Sequence, residues 1–191
     1  NIHHETISVL FMNSLNKEFN GELKLAISVF ENNYKKKFLH QLVSSQLDVD
    51  RLDYLKRDSF FSGVSEGVIG SDRIIKMLNV VGDELCVDYK GIYSIENFLV
   101  ARRLMYWQVY LHKTAVSADL HLLKILIRAK ELAKQGVDLF ATPSLKIFLY
   151  GKFSKTDFIN KPELLQAFSE LDDYDVFASI KVWASHSDKT L

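Results

Sequence analysis

Ser45-Gln46-Leu47-Asp48-Val49-Asp50-Arg51-Leu52-Asp53-Tyr54-Leu55-Lys56-Arg57-Asp58 is the stretch of this 191-residue chain whose periodicity decides its fold. Asp48 is placed to cap a helix over 49–61, because its side-chain oxygen can accept an otherwise unpaired amide hydrogen of the first turn. On that helix Asp50, Tyr54 and Asp58 fall at i, i+4 and i+8, so two carboxylates and a phenol share one face, with Arg51 beside them. A carboxylate is a hard anionic ligand suited to a divalent cation, and a guanidinium can grip phosphate oxygens in a bidentate fork. The same pattern also fits a solvated helix face laced with i,i+4 ion pairs.

Upstream, Ile7, Leu10, Phe11 and Leu15 line one face of a helix that Asn20-Gly21 ends. Leu23, Ile27 and Phe30 repeat the pattern as far as Asn32-Asn33, and Phe38, Leu39, Leu42 and Val43 open a third helical stretch after the solvated run Lys35-Lys36-Lys37. Downstream, Gly63, Gly67 and Gly70 predict a loop. No strand precedes them and no Gly-Lys-Ser/Thr follows, so a phosphate-cradling turn is disfavoured. Leu85, Val87 and Tyr89 alternate beyond Gly82-Asp83, which predicts a small hairpin between about residues 79 and 90.

From Ser94, a good N-cap, to Gln135 there is neither Pro nor Gly. One helix over that span would be about 60 Å long, so the reading is either a single long helix or two helices broken near Thr114–Ser117. Arg102, Tyr106, Tyr110 and Lys113 form a second polar stripe there, at i, i+4, i+8 and i+11. It suits either an anionic pocket or the solvated side of an amphipathic helix that buries Phe98, Met105 and Val109. Pro143 and Pro162 each suit a first helical turn, where a missing amide hydrogen costs nothing, and a last helix begins at about Asp173.

Composition narrows the class. With 48% hydrophobic and 25% charged residues and only two prolines, the chain reads as a folded, mainly helical protein. Lys plus Arg and Asp plus Glu balance at 24 each, so no global attraction to nucleic acid or anionic membrane is implied and any anion site is local. The single Cys86 excludes an intrachain disulfide framework and fits a reducing compartment. No apolar run is long enough to span a membrane and no signal segment opens the chain, so a cytoplasmic location is expected.

The first motif resembles the SQLDxDRLDYLxRD signature of HD-domain superfamily phosphohydrolases, most closely those that hydrolyse dNTPs. Met105-Tyr106-Trp107-Gln108-Val109-Tyr110-Leu111-His112-Lys113-Thr114 resembles their downstream MYxxVYxHKT signature. The resemblance covers about residues 1–135. It implies a mainly α fold, an HD-domain-like portion of a helical bundle with a small β-hairpin. Residues 136–191, which the resemblance does not cover, read from their own pattern as a C-terminal helical region. The resemblance also implies a divalent metal cofactor with Asp50 as one ligand, and substrate contacts from Arg51, Tyr54, Asp58, Arg102 and Tyr110. His4, in a His-Glu pair, resembles the histidine beside the scissile phosphate, where it would act as an acid or a cation. Lys90 and the His112-Lys113 pair resemble positions near regulatory nucleotide sites. Leu111 departs from a glutamine that follows the matching tyrosine in relatives.

One feature of the family is missing. No His-Asp dipeptide occurs, and the histidines at 3, 4, 40, 112, 121 and 186 are too scattered to replace it. His40, His121 and His186 lie in helical contexts and read as packed or surface residues. The expectation is that the metal dyad lies upstream of Asn1, that the full protein hydrolyses nucleotides, and that these residues alone are inactive. The expected partners are a nucleotide substrate, the missing N-terminal segment and a second copy in a homo-oligomer. A helical binding or oligomerisation module, or an HD phosphodiesterase, are the alternatives.

Overall fold

The computed structural model describes residues 2–191 and is mainly α-helical with one small hairpin. Two compact units are formed. One comprises residues 16–116, the other residues 2–15 with 117–191. The boundary expected at 135–136 falls inside the second of these, at the turn containing Gly136.

In the unit of residues 16–116, α2 (Lys24–Phe30), α3 (Lys37–Val43), α4 (Val49–Ser62), α5 (Ser71–Met77) and α6 (Ile92–Met105) are joined by short turns. Helix α4 buries Leu52, Leu55 and Ser59, and α6 buries Phe98, Ala101 and Met105. Both sets run i, i+3, i+7, so each helix offers one narrow apolar stripe to a core that Ile69 and Ile74 complete. Burying each of these large side chains contributes roughly 2 kcal/mol.

The glycine loop has a packing reason. A 3-10 turn, Ser65–Gly67, wedges between α4 and α6, and a Cβ on Gly67 would stand 2.5 Å from Met105 Sδ and 2.8 Å from Ser59 Cβ. Gly67→Val is therefore expected to cost about 3 kcal/mol through overpacking, read as a lower urea midpoint. A midpoint unchanged from the parent would refute the close approach.

The hairpin pairs β1 (Leu78–Val81) with β2 (Glu84–Val87) in antiparallel register, Leu78 opposite Val87 and Val81 opposite Glu84. Gly82 and Asp83 both take positive φ, 59° and 68°, the geometry a two-residue hairpin turn demands. The strands stop at Val87, short of the expected 90, because Asp88 accepts a bond from Lys90 N (2.9 Å) and starts the 3-10 turn Tyr89–Gly91. That turn runs directly into α6, so the helix begins at Ile92 and Ser94 is not its cap. Gln41 of α3 closes the hairpin from outside: its Oε1 accepts from Leu85 N (2.7 Å) and its amide donates to Glu84.

The long segment breaks, as one of the two readings had it, but earlier than 114–117. Tyr106–Tyr110 is a π-helical turn in which Leu111 N donates to Tyr106 O (2.7 Å, i to i+5), and α7 (Lys113–Lys134) starts afresh after His112. Lys113 thus opens a different helix and leaves the stripe begun by Arg102.

In the other unit, α7 packs with α8 (Pro143–Tyr150) and α11 (Asp173–Trp183) around Ala129, Leu132, Leu145, Leu149 and Trp183. Trp183 Nε1 donates to Phe140 O (2.8 Å), and Arg128 pairs with Asp188 at 2.6 Å. Helices α9 (Lys155–Asn160) and α10 (Pro162–Glu170) contribute Phe158 and Phe168 to an aromatic cluster around Phe148. Phe11 of α1 (His4–Glu18) reaches Phe168 with centroids 6.4 Å apart. No helix among the described residues is long and apolar enough to cross a membrane.

Candidate functional site

The N-terminus of α4 is built as the motif predicts. Asp48 Oδ1 accepts from Arg51 N (2.8 Å), and its other oxygen accepts from Ser45 N (3.3 Å), so one buried carboxylate closes the turn 45–48. Arg51 Nη1 lies against the same carboxylate and donates to Ser45 O, which draws its guanidinium along the first turn. Asp50, one residue earlier, is exposed. Tyr54 and Asp58 follow on the same face and are half-buried.

Across from them stand Arg102, Tyr106 and Tyr110. Tyr110 donates its hydroxyl to Asp58 Oδ2 at 2.7 Å, and its ring meets Tyr54 edge-on with centroids 6.0 Å apart. Tyr106 packs edge-on against Tyr110 at 5.2 Å, a spacing set within the π turn. Such widened turns recur at functional sites, because they re-aim side chains without ending the helix. The Arg102 guanidinium lies 5.8 Å from the Tyr106 ring centroid and donates through Nη1 to Gln46 Oε1 at 3.0 Å. The two polar stripes thus converge: Tyr54, Asp58, Arg102 and Tyr110 form one wall with Tyr106 and Gln46, with Arg51 at its α4 end. Neither Gln46 nor Tyr106 stood among the substrate contacts that the resemblance implied, although both lie within or beside the quoted motifs.

The electrostatics of the wall are mixed. Burial is the main cause that pushes the Tyr54 phenol up from its ordinary pKa, with the Tyr106 phenol adding to it. Arg102 and Arg51 pull it back, so both guanidiniums act on the Tyr54 hydroxyl. Tyr110 is pushed further up, first by burial and then by its bond to the Asp58 carboxylate. A phenol whose folded pKa is raised holds its stabilising bond below the unfolded value of about 10 and loses it as pH climbs through the folded value. Spectrophotometric titration should therefore show Tyr54 and Tyr110 ionising above the ordinary phenol value of about 10, with stability falling above about pH 10. Tyr110→Phe should remove amplitude from the late part of the titration, and loss of amplitude from the ordinary phenol range instead would contradict the Tyr110–Asp58 bond.

His4 belongs to the other compact unit, where its side chain is exposed and sits 3.4 Å from Glu5. Among the described residues no group of three His, Cys, Asp or Glu side chains could hold a metal ion. Asp50 offers one carboxylate where a transition-metal site takes three or more protein ligands, so these residues by themselves do not fit a metal. A separate cleft of about 730 Å³ lies at the C-terminal end of α4, between Lys56, Phe60, Phe61 and Val68, away from the wall.

Residues 69–132 match the family model described as the HD associated region. Over 99% of its length the chain is 60% identical to a phosphohydrolase crystal structure from Bacteroides thetaiotaomicron, with a TM-score of 0.94, and it covers 47% of that chain. It is 32% identical over 164 residues to the Bacillus subtilis protein YwfO, covering 36% of that protein. It is 26% identical over 144 residues to the deoxynucleoside triphosphate triphosphohydrolase SAMHD1 homologue of Dictyostelium discoideum, covering 28% of it. The chain therefore spans less than half the length of each of these three proteins. Together the likenesses support the HD-domain phosphohydrolase superfamily.

Proposed function

We propose that this chain carries the substrate wall of an HD-type phosphohydrolase acting on nucleotides, with (deoxy)nucleoside triphosphates as the substrate class. The observation that carries the reading is the meeting of Arg102, Tyr54, Asp58 and Tyr110 on one wall, with a second guanidinium, Arg51, in electrostatic reach. Arg102, held by an uncharged amide oxygen, keeps its full charge for a polyphosphate, while Arg51 shares its charge with Asp48 and adds a weaker positive field. Both are fixed, so they stabilise charge developing on a phosphoryl group without reorganising during the reaction. The Tyr110–Asp58 pair offers a carboxylate and a ring edge to a sugar. The name of the Dictyostelium relative supports deoxynucleotides.

In this proposal His4 is the acid or cation near the scissile phosphate. Asp50 is one ligand of a divalent metal whose other ligands lie outside these 191 residues. The test is a hydrolysis panel on the full-length protein, comparing dNTPs, ribonucleotides and phosphodiesters, with metal analysis of the same sample. Release of phosphate or tripolyphosphate from dNTPs is expected. Turnover of phosphodiesters alone, or of nothing in the panel, would overturn the reading.

A further inference from the structure

Arg102 is held from two sides, by the Tyr106 ring and by the Gln46 amide oxygen. Gln46 sits in the turn 45–48, the same turn whose Ser45 carbonyl and Asp48 carboxylate draw in Arg51. That turn is itself fixed by the α4 cap, through Ser45 N to Asp48 and Arg51 N to Asp48. One short segment therefore touches both guanidiniums of the wall, although the arginines lie on different helices.

We infer that Gln46 is a positioning residue that aims the Arg102 guanidinium at an anionic phosphate oxygen, so that the 45–48 turn sets the spacing of the two cations. The inference rests on the nucleotide reading above. A guanidinium has five donor hydrogens in a rigid fork, and one bond from Nη1 to an uncharged oxygen fixes its plane while leaving donors and full charge for substrate. A carboxylate in the place of Gln46 would neutralise that charge instead. The glutamine matches the task because it accepts without competing as an anion.

The experiment is a double-mutant cycle on the full-length protein, titrated calorimetrically with inorganic tripolyphosphate. Gln46→Met keeps the side-chain length and removes the acceptor, and it lies at an exposed position where folding is not at stake. It should weaken binding about fivefold, the scale of one typical hydrogen bond at an open site. In an Arg102→Ala background, which itself binds more weakly, Gln46→Met should do nothing further, because a residue that acts through Arg102 has nothing left to position. If Gln46→Met has no effect on the parent, or the same effect in both backgrounds, the positioning role is overturned while the phosphate wall stands. If Arg102→Ala leaves binding unchanged, the wall itself fails and the inference with it.

Discussion

Asp50→Asn in the full-length protein is expected to lower nucleotide hydrolysis by about a thousandfold, the rate equivalent of the several kcal/mol a bound metal contributes to stabilising charge. The folded structure should be almost untouched. Asp50 is exposed on α4 and its side chain makes no hydrogen bond among the described residues, and surface substitutions of that kind stay within roughly 0.5 kcal/mol. Metal content should fall together with turnover. Asp53→Asn is the control, because Asp53 lies on the same helix but pairs with Arg57 at 2.7 Å, away from the Tyr54–Asp58 face. Its loss should leave activity near the parent value. An Asp50→Asn protein with full metal content and full turnover would remove Asp50 from the proposal.

What could be read from sequence was what local chemistry decides. Asp48 caps α4, Pro143 and Pro162 stand at the first turns of α8 and α10, and Gly82-Asp83 turns the hairpin, each through backbone preferences acting within a few residues. The helix face bearing Asp50, Tyr54 and Asp58 follows from spacing alone. The π turn at Tyr106–Tyr110 does not, because no propensity marks an i to i+5 bond, and it moved the break in the long segment to Leu111–His112. The start of α6 was misplaced for a related reason: Asp88 does the capping six residues before Ser94, through a 3-10 turn that the alternation of the hairpin disguised. Helix α5 lies just past the glycine loop, in a seven-residue stretch too short for its periodicity to mark a helix. The wall depends on pairs far apart in the chain, Tyr110 with Asp58 and Arg102 with Gln46. Spacing predicted each stripe, and only the packing of α6 against α4 could bring the two together.

The polypeptide of residues 1–191, prepared alone, is expected to hydrolyse no dNTP above the buffer rate and to bind divalent metal weakly. The wall is present, yet positioned cations without an activated nucleophile stabilise a charge that never develops. Asp50 as a lone carboxylate also meets a strongly hydrated cation with too few ligands to displace its water. The same polypeptide presents Phe60 and Phe61, each 79% exposed and packed edge-on at 5.3 Å, beside Val68 at the cleft that ends α4. Contiguous apolar surface of this kind promotes association, so its sedimentation coefficient should rise with concentration. Phe60→Ser with Phe61→Ser should reduce that rise without altering the wall, since neither ring touches Tyr54 or Tyr110. A monodisperse polypeptide of 22.0 kDa that turns over dNTP at a rate matching the full-length protein would show that no ligand from outside these residues is needed. Such a result would move the search for the reacting centre back onto this chain, starting from His4 and Asp50.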